Sequence, residues 1–201
     1  MDDRQRGHDD VRSNARWTQR SDRKSARAGF TLIEVMVGMV ILAVGAVSFS
    51  GALVSSIRAS KSTDEVNRAT KAAHAILERI QAEAFADAFR RFNDNKTDDP
   101  GGVGTAPGAH FAITGLTAEE GDADGMPLEV IFPIQPGDAS RLKEDVVLPE
   151  LGMLRDLNGD NVIDNANHSV DYRILPVLVR VRWRSAAGPG RLEFRTMLAN
   201  Y

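Results

Sequence analysis

Asp156, Asn158, Asp160 and Asp164 set side-chain oxygens at alternate positions of a short run, first, third, fifth and ninth, and the backbone carbonyl of Val162 falls at the seventh. A hard divalent cation takes about six to eight oxygen ligands, and a turn carrying carboxylates and amides at this rhythm is how a calcium loop presents them. Ile163 supplies the inward apolar residue that anchors such a loop. Two positions depart from the pattern. Asn161 stands where Gly makes the sharp turn, although Asn also tolerates a left-handed backbone, and Asn167 stands where a bidentate Glu closes the site. Asp171 is the carboxylate placed to substitute. Asp-Asn-Gly clusters also form plain turns, but the alternation favours Ca2+ over 156–164, with Asp156, Asn158, Asp160, Val162, Asp164 and Asp171 as ligands.

Glu34 is the second residue with chemistry to explain. Residues 30–54 contain no Pro and this single charge. At about 1.5 Å per helical residue, about 25 residues cross a hydrocarbon core of roughly 30 Å. An ionisable group inside a membrane span requires a partner. Were the chain cut between Gly29 and Phe30, the new α-amino group would lie one helical turn from Glu34, or from Glu34 of a packed neighbour. Gly38, Gly45 and Gly51 recur at roughly helical spacing with Ala43, Ala46 and Ser48, a small-residue face that lets membrane helices approach closely.

The residues Ala28-Gly29-Phe30-Thr31-Leu32-Ile33-Glu34-Val35, behind a basic leader and ahead of an apolar helix, closely resemble the class III signal of type IV prepilins and type II secretion pseudopilins. The resemblance covers about 25 to 30 residues and is specific, because cut site, Glu spacing and apolar length must coincide. It implies cleavage after Gly29 by a membrane prepilin peptidase, N-methylation of Phe30 and a role for Glu34 in assembly. It also implies a structural subunit, in contact with other pilin or pseudopilin subunits and an inner-membrane assembly platform. The filament would be a type II secretion pseudopilus or a type IV pilus. The calcium run is in turn similar to the Asp/Asn loops of dockerin and thrombospondin-type repeats.

Charge is distributed in keeping with a single-pass protein. Residues 1–29 carry eight Arg and Lys against five Asp, and the remainder carries seventeen against twenty-three acidic residues. Arg16, Arg20, Arg23, Lys24 and Arg27 precede the span, which by the positive-inside rule holds the N-terminus in the cytoplasm and sends the C-terminal domain to the periplasmic, extracytoplasmic side of the inner membrane. The acidic remainder disfavours nucleic acid as a partner. The absence of Cys excludes disulfides, thiolate metal sites and cysteine nucleophiles. His8, His74, His110 and His168 are scattered, with no phosphate loop, zinc spacing or nucleophile elbow around them. His168 beside Ser169 and Asp171 has the residue types of a triad without its motif. An enzyme is not expected.

The elements that must position these residues follow from periodicity. Val66, Ala69, Ala73, Ile76, Leu77, Ile80, Ala84 and Ala88 recur in steps of three and four, which predicts that an amphipathic helix continues the span, with a break or bend at 60–64 where Ser and Asp can cap a new start. Strand-like runs follow at 110–114, 128–134, 145–148, 173–184 and 192–198. Val179, Val181 and Trp183 alternate with Arg180, Arg182 and Arg184, and the turn 185–190 makes the last two runs a hairpin. The predicted fold is α+β and pilin-like: a leader at 1–29, a membrane half-helix at 30–54, an amphipathic half at 55–92, and a C-terminal antiparallel β domain at 93–201 packed on the helix. The competing reading is a single-pass anchor displaying an extracytoplasmic calcium-binding module that enters no filament.

Overall fold

The computed structural model describes residues 29–200, so the predicted leader lies, as far as Ala28, outside the described residues. The architecture is the α+β one expected, a long N-terminal helix α1 (Leu32–Ala82) and a C-terminal antiparallel sheet. The described residues divide into two units, with the boundary between Val47 and Ser48.

In the first unit the helix starts at a side-chain cap. Thr31 Oγ1 accepts the backbone N–H of Glu34 at 3.3 Å, the S/T-x-x-E arrangement that satisfies an orphan donor of the first turn and places an acid at the positive end of the helix dipole. From Leu32 onward the apolar side chains stand exposed, Leu42 and Val47 at 74% each. This is the one helix among the described residues long and apolar enough to cross a membrane.

In the second unit α1 is helical through 60–64, where a break was expected. The hydroxyl of Thr63 donates to the carbonyl of Ala59 at 3.0 Å, bonding back into the preceding turn instead of capping a new one. Asp64 and Arg68 form an i,i+4 pair at 2.8 Å across the same region. The interruption falls at Glu83 and Ala84 instead. Ala84 turns extended, and its carbonyl accepts from Asp87 and Ala88 to open α2 (Phe85–Phe92). The expected amphipathic stripe is buried at Ala69, Ala73 and Ile80, while Val66 and Ala84 lie exposed. The turn at 83–84 sets a new helical phase, and with it Ala88, Phe89 and Phe92 all enter the core.

Four strands, β1 (His110–Phe111), β2 (Leu128–Ile131), β5 (Ile174–Ser185) and β6 (Gly188–Ala199), form an antiparallel sheet in the order β1-β2-β5-β6. A separate hairpin joins β3 (Ile134–Gln135) to β4 (Asp138–Leu142). Val177, Val179, Val181 and Trp183 alternate inward on β5, while Arg180, Arg182 and Arg184 point away, as the sequence pattern predicts. Phe194 of β6 meets the ring of His74 on α1 at 4.7 Å, and Trp183 Nε1 donates to Glu65 of α1 at 3.3 Å, which marks the face turned to the helix.

Three local expectations change. The β5–β6 turn is two residues, Ala186 and Ala187, so Pro189 and Gly190 belong to β6 rather than to a longer loop. Gly190 pairs with Trp183, and a Cβ there would lie 2.2 Å from the indole, so the glycine makes room for the ring rather than for a turn. Residues 145–148 pair with no strand among the described residues, and the strand the sequence reading missed is β4, entered by the turn at Pro136 and Gly137. Pro133, which has no N–H to give a ladder, ends the predicted 128–134 run early.

On the outer face Glu193 collects three arginines: Arg180 Nε at 2.8 Å, Arg191 Nη2 at 2.5 Å and Arg195 Nη2 at 3.3 Å. Burial pushes its carboxyl up, but the donated hydrogen bonds outweigh it and hold the group at about 2. The Arg-rich face is thus in part internally neutralised, which suits a solvated surface.

Candidate functional site

The residues expected to serve processing and assembly sit together at the head of α1. Gly29 and Phe30 precede the helix, Phe30 is exposed, and Glu34 lies in its first turn with no ion-pair partner among the described residues. A Cβ built on Gly38, Gly45 or Gly51 would meet nothing within 4 Å, so nothing in the described residues requires these positions to be small. Close approach by another helix would.

The acidic run at 156–171 separates into two groupings. Asp156 accepts from Gly159 N at 2.6 Å and from Asn161 N at 2.8 Å, Asn158 Oδ1 accepts from Asp160 N at 3.0 Å, and Asp160 Oδ1 accepts from Val162 N at 2.7 Å. The N–H of Gly159 is the main cause that holds the Asp156 carboxyl below its usual range. Asn161 adopts φ 66°, the left-handed conformation that the sixth position of a calcium loop requires. Leu157, rather than the expected Ile163, is the buried anchor: Leu157 is fully buried, its carbonyl accepts from Arg173 and Ile174 at the start of β5, and Ile163 is 48% exposed.

Asp164 and Asp171 turn to His168. His168 Nε2 lies 3.2 Å from Asp164 Oδ1, and Nδ1 lies 3.3 Å from Asp171 Oδ1. Behind them is Glu144, fully buried just past β4, with Oε2 at 3.7 Å from His168 Nε2. Glu144 Oε1 accepts Leu157 N at 2.6 Å and Asn158 N at 3.3 Å, and Oε2 accepts Asp164 N at 3.2 Å, so one carboxylate ties both groupings to β4. Burial by itself would lower the His168 pKa, but Asp164, Glu144 and Asp171 outweigh it and raise the group. Sequence reasoning missed Glu144, hidden in the charged run Lys143-Glu144-Asp145, and set His168 aside because Ser169 and Asp171 beside it give the residue types of a triad without its motif.

The run 119–125 is a turn beside a second histidine. His110 Nε2 lies 3.0 Å from Asp94 and Nδ1 2.6 Å from Asp124. Each ring nitrogen thus faces a different carboxylate, and although burial by itself would lower the His110 pKa, Asp94 and Asp124 outweigh it and raise the group.

The prokaryotic N-terminal methylation motif matches residues 24–50, the span that holds Gly29, Phe30, Glu34 and the first half of the apolar helix. No curated protein and no solved structure matches the chain. With the class III prepilin signal at its N-terminus, a long helix behind it and an antiparallel sheet to follow, the chain is a type IV pilin- or pseudopilin-like protein.

Proposed function

We propose that the chain is a minor pilin or pseudopilin subunit that a prepilin peptidase cuts after Gly29 and methylates on Phe30, and that then joins other subunits in a type II secretion pseudopilus or a type IV pilus. The observation that carries this reading is the position of Gly29-Phe30 and Glu34 at the head of an exposed apolar helix, inside the matched motif. The basic residues ahead of the span support an inner-membrane orientation with the N-terminus cytoplasmic and the β domain periplasmic. An assembly platform in the same membrane would be the docking partner of the helix. The role is structural and non-enzymatic.

Intact-mass analysis of protein extracted from membranes is expected to show loss of residues 1–29 and gain of one methyl group. An uncut chain, or a mature terminus within the apolar run, would overturn the reading.

A second reading, that the subunit carries Ca2+ in the 156–162 part of the expected loop, Asp164 and Asp171 being turned to His168, is favoured by the left-handed Asn161 and by the paired N–H donors that fold Asp156 over the loop. With no bidentate closing Glu, affinity in the range of about 10⁻⁴ to 10⁻³ M is expected. About tenfold excess of calcium over its Kd then adds roughly 1.4 kcal/mol to stability, since only the folded state binds. Melting curves of the purified chain in calcium and in chelator, compared with Asp156→Ala, check this. A wild-type midpoint that does not move, or one that moves equally in the variant, removes the ion from this loop.

A further inference from the structure

We propose that Glu144, Asp164 and His168 form a binding site for a borderline divalent cation of the zinc class, separate from the loop 156–162. Each residue offers one ligand atom, and the three atoms lie within 4.8 Å of one another. Zinc bonds to nitrogen and oxygen of about 2.0–2.1 Å at tetrahedral angles place neighbouring ligand atoms about 3.3 Å apart. His168 Nε2 stands 3.2 Å from Asp164 Oδ1 and 3.7 Å from Glu144 Oε2, two edges of such a tetrahedron.

The support around the ligands points the same way. A metal-bound imidazole characteristically gives its other ring N–H to a carboxylate, which fixes the tautomer and turns the free nitrogen to the ion. Asp171, outside the triad of ligands, stands 3.3 Å from His168 Nδ1 in that position and leaves Nε2 facing Glu144 and Asp164. His168 is itself pinned to the end of β4, two residues before Glu144, its N–H donating to the carbonyl of Leu142 at 2.9 Å. His168 and Glu144 are 2% and 0% exposed, so the site is built into the fold and not laid on its surface. Lys143, the cation adjoining Glu144, is tied to the carbonyl of Asn165.

Charge and donor type select the ion. Two carboxylates and a neutral imidazole carry two negative charges, which a divalent cation balances, and a buried carboxylate requires such compensation. One ring nitrogen among the ligands favours zinc and its transition-metal neighbours over calcium and magnesium, which prefer oxygen alone. Three protein ligands leave a fourth position for water or for a side chain of a partner subunit.

The test uses the untagged full chain in detergent, stripped with chelator, titrated with Zn2+ by calorimetry and with Co2+ by visible absorption. Expected are one equivalent of Zn2+ per chain and a Co2+ ligand-field band. Both should be lost in Asp164→Ala, whose side chain is 44% exposed and whose fold can be checked by circular dichroism, and in His168→Gln. Asp171→Asn should weaken binding roughly 10- to 100-fold, and Asp156→Ala should leave zinc binding unchanged. Folded wild-type chain that takes up no zinc, or uptake that survives Asp164→Ala, overturns the site. Uptake lost in Asp156→Ala but kept in His168→Gln would overturn it too, by moving the ion into the loop.

Discussion

Glu34→Gln is expected to insert into the membrane as well as the wild type and to fail at assembly. Insertion costs about 2.5–3.5 kcal/mol for a charge such as Asp at the centre of a span and less near its end, so removing the charge eases that step. Assembly runs the other way. After processing, the amino group of Phe30 would be a positive charge at the membrane end of the helix, and among the described residues Glu34 is the acid of that helix's first turn. Taking one partner from a desolvated ion pair costs about 3–5 kcal/mol because the other charge is left alone. By the tenfold-per-1.4 kcal/mol rule this is a loss of about a hundredfold or more in association.

Because the chain has no Cys, a single one placed in the span, for example Gly45→Cys, would report neighbours by cross-linking. Efficient cross-linking to copies or partner subunits in the wild-type background, abolished by Glu34→Gln, is the expected pattern. Undiminished cross-linking in the variant would remove Glu34 from assembly. The absence of any neighbour in the wild-type background would favour the anchored module that enters no filament.

Phe89→Ala is expected to be the most damaging single truncation in the β-domain core, at about 3–5 kcal/mol. Phe89 is fully buried on α2 and meets Phe132 edge-on, with ring centroids 5.3 Å apart at 81°. That contact joins the short helix to the segment between β2 and β3, so the cavity lies between elements distant in sequence and cannot close by a small local shift. Nearby, the hydroxyl of Tyr172 donates to the carbonyl of Phe85, and the two rings meet at 4.9 Å with a tilt of 47°, which clamps the start of α2 to the chain entering β5. Denaturant unfolding of the chain followed by far-ultraviolet circular dichroism should show a lowered midpoint with little change in slope. A variant within about 1 kcal/mol of wild type would mean that α2 is not part of the cooperative core. Phe30, equally large but exposed and outside this unit, should tolerate truncation without loss of domain stability.

The parts legible in the sequence were those in which adjacent residues carry the signal. The apolar run with its single Glu34, the junction at Gly29-Phe30, and the Val and Arg alternation of β5 each rest on spacing within one element, because a helix or strand repeats its own geometry every few residues. The Asx turns at Asp156, Asn158 and Asp160 are equally local: side chain and backbone partner lie two to five residues apart.

Where competing local signals met, packing made the choice. Ser and Asp at 60–64 could cap a new helix or ride along an old one, and the Thr63 back-bond and Asp64–Arg68 pair favoured continuity. The break instead came where three residues, Ala88, Phe89 and Phe92, needed a different helical phase to reach the core. Pro189 and Gly190 read as turn residues, yet Gly190 lies in the strand because Trp183 occupies the space of its side chain.

The grouping of Glu144, Asp164 and His168 was decided by tertiary structure alone. Twenty residues separate Glu144 from Asp164, and no periodicity links them. What joins them is the return of the chain past the end of β4, where a buried carboxylate must find donors and finds them in the backbone of Leu157, Asn158 and Asp164. A charged run such as Lys143-Glu144-Asp145 reads as solvated by composition, and burial of its central Glu depends on contacts that become visible only when distant segments meet.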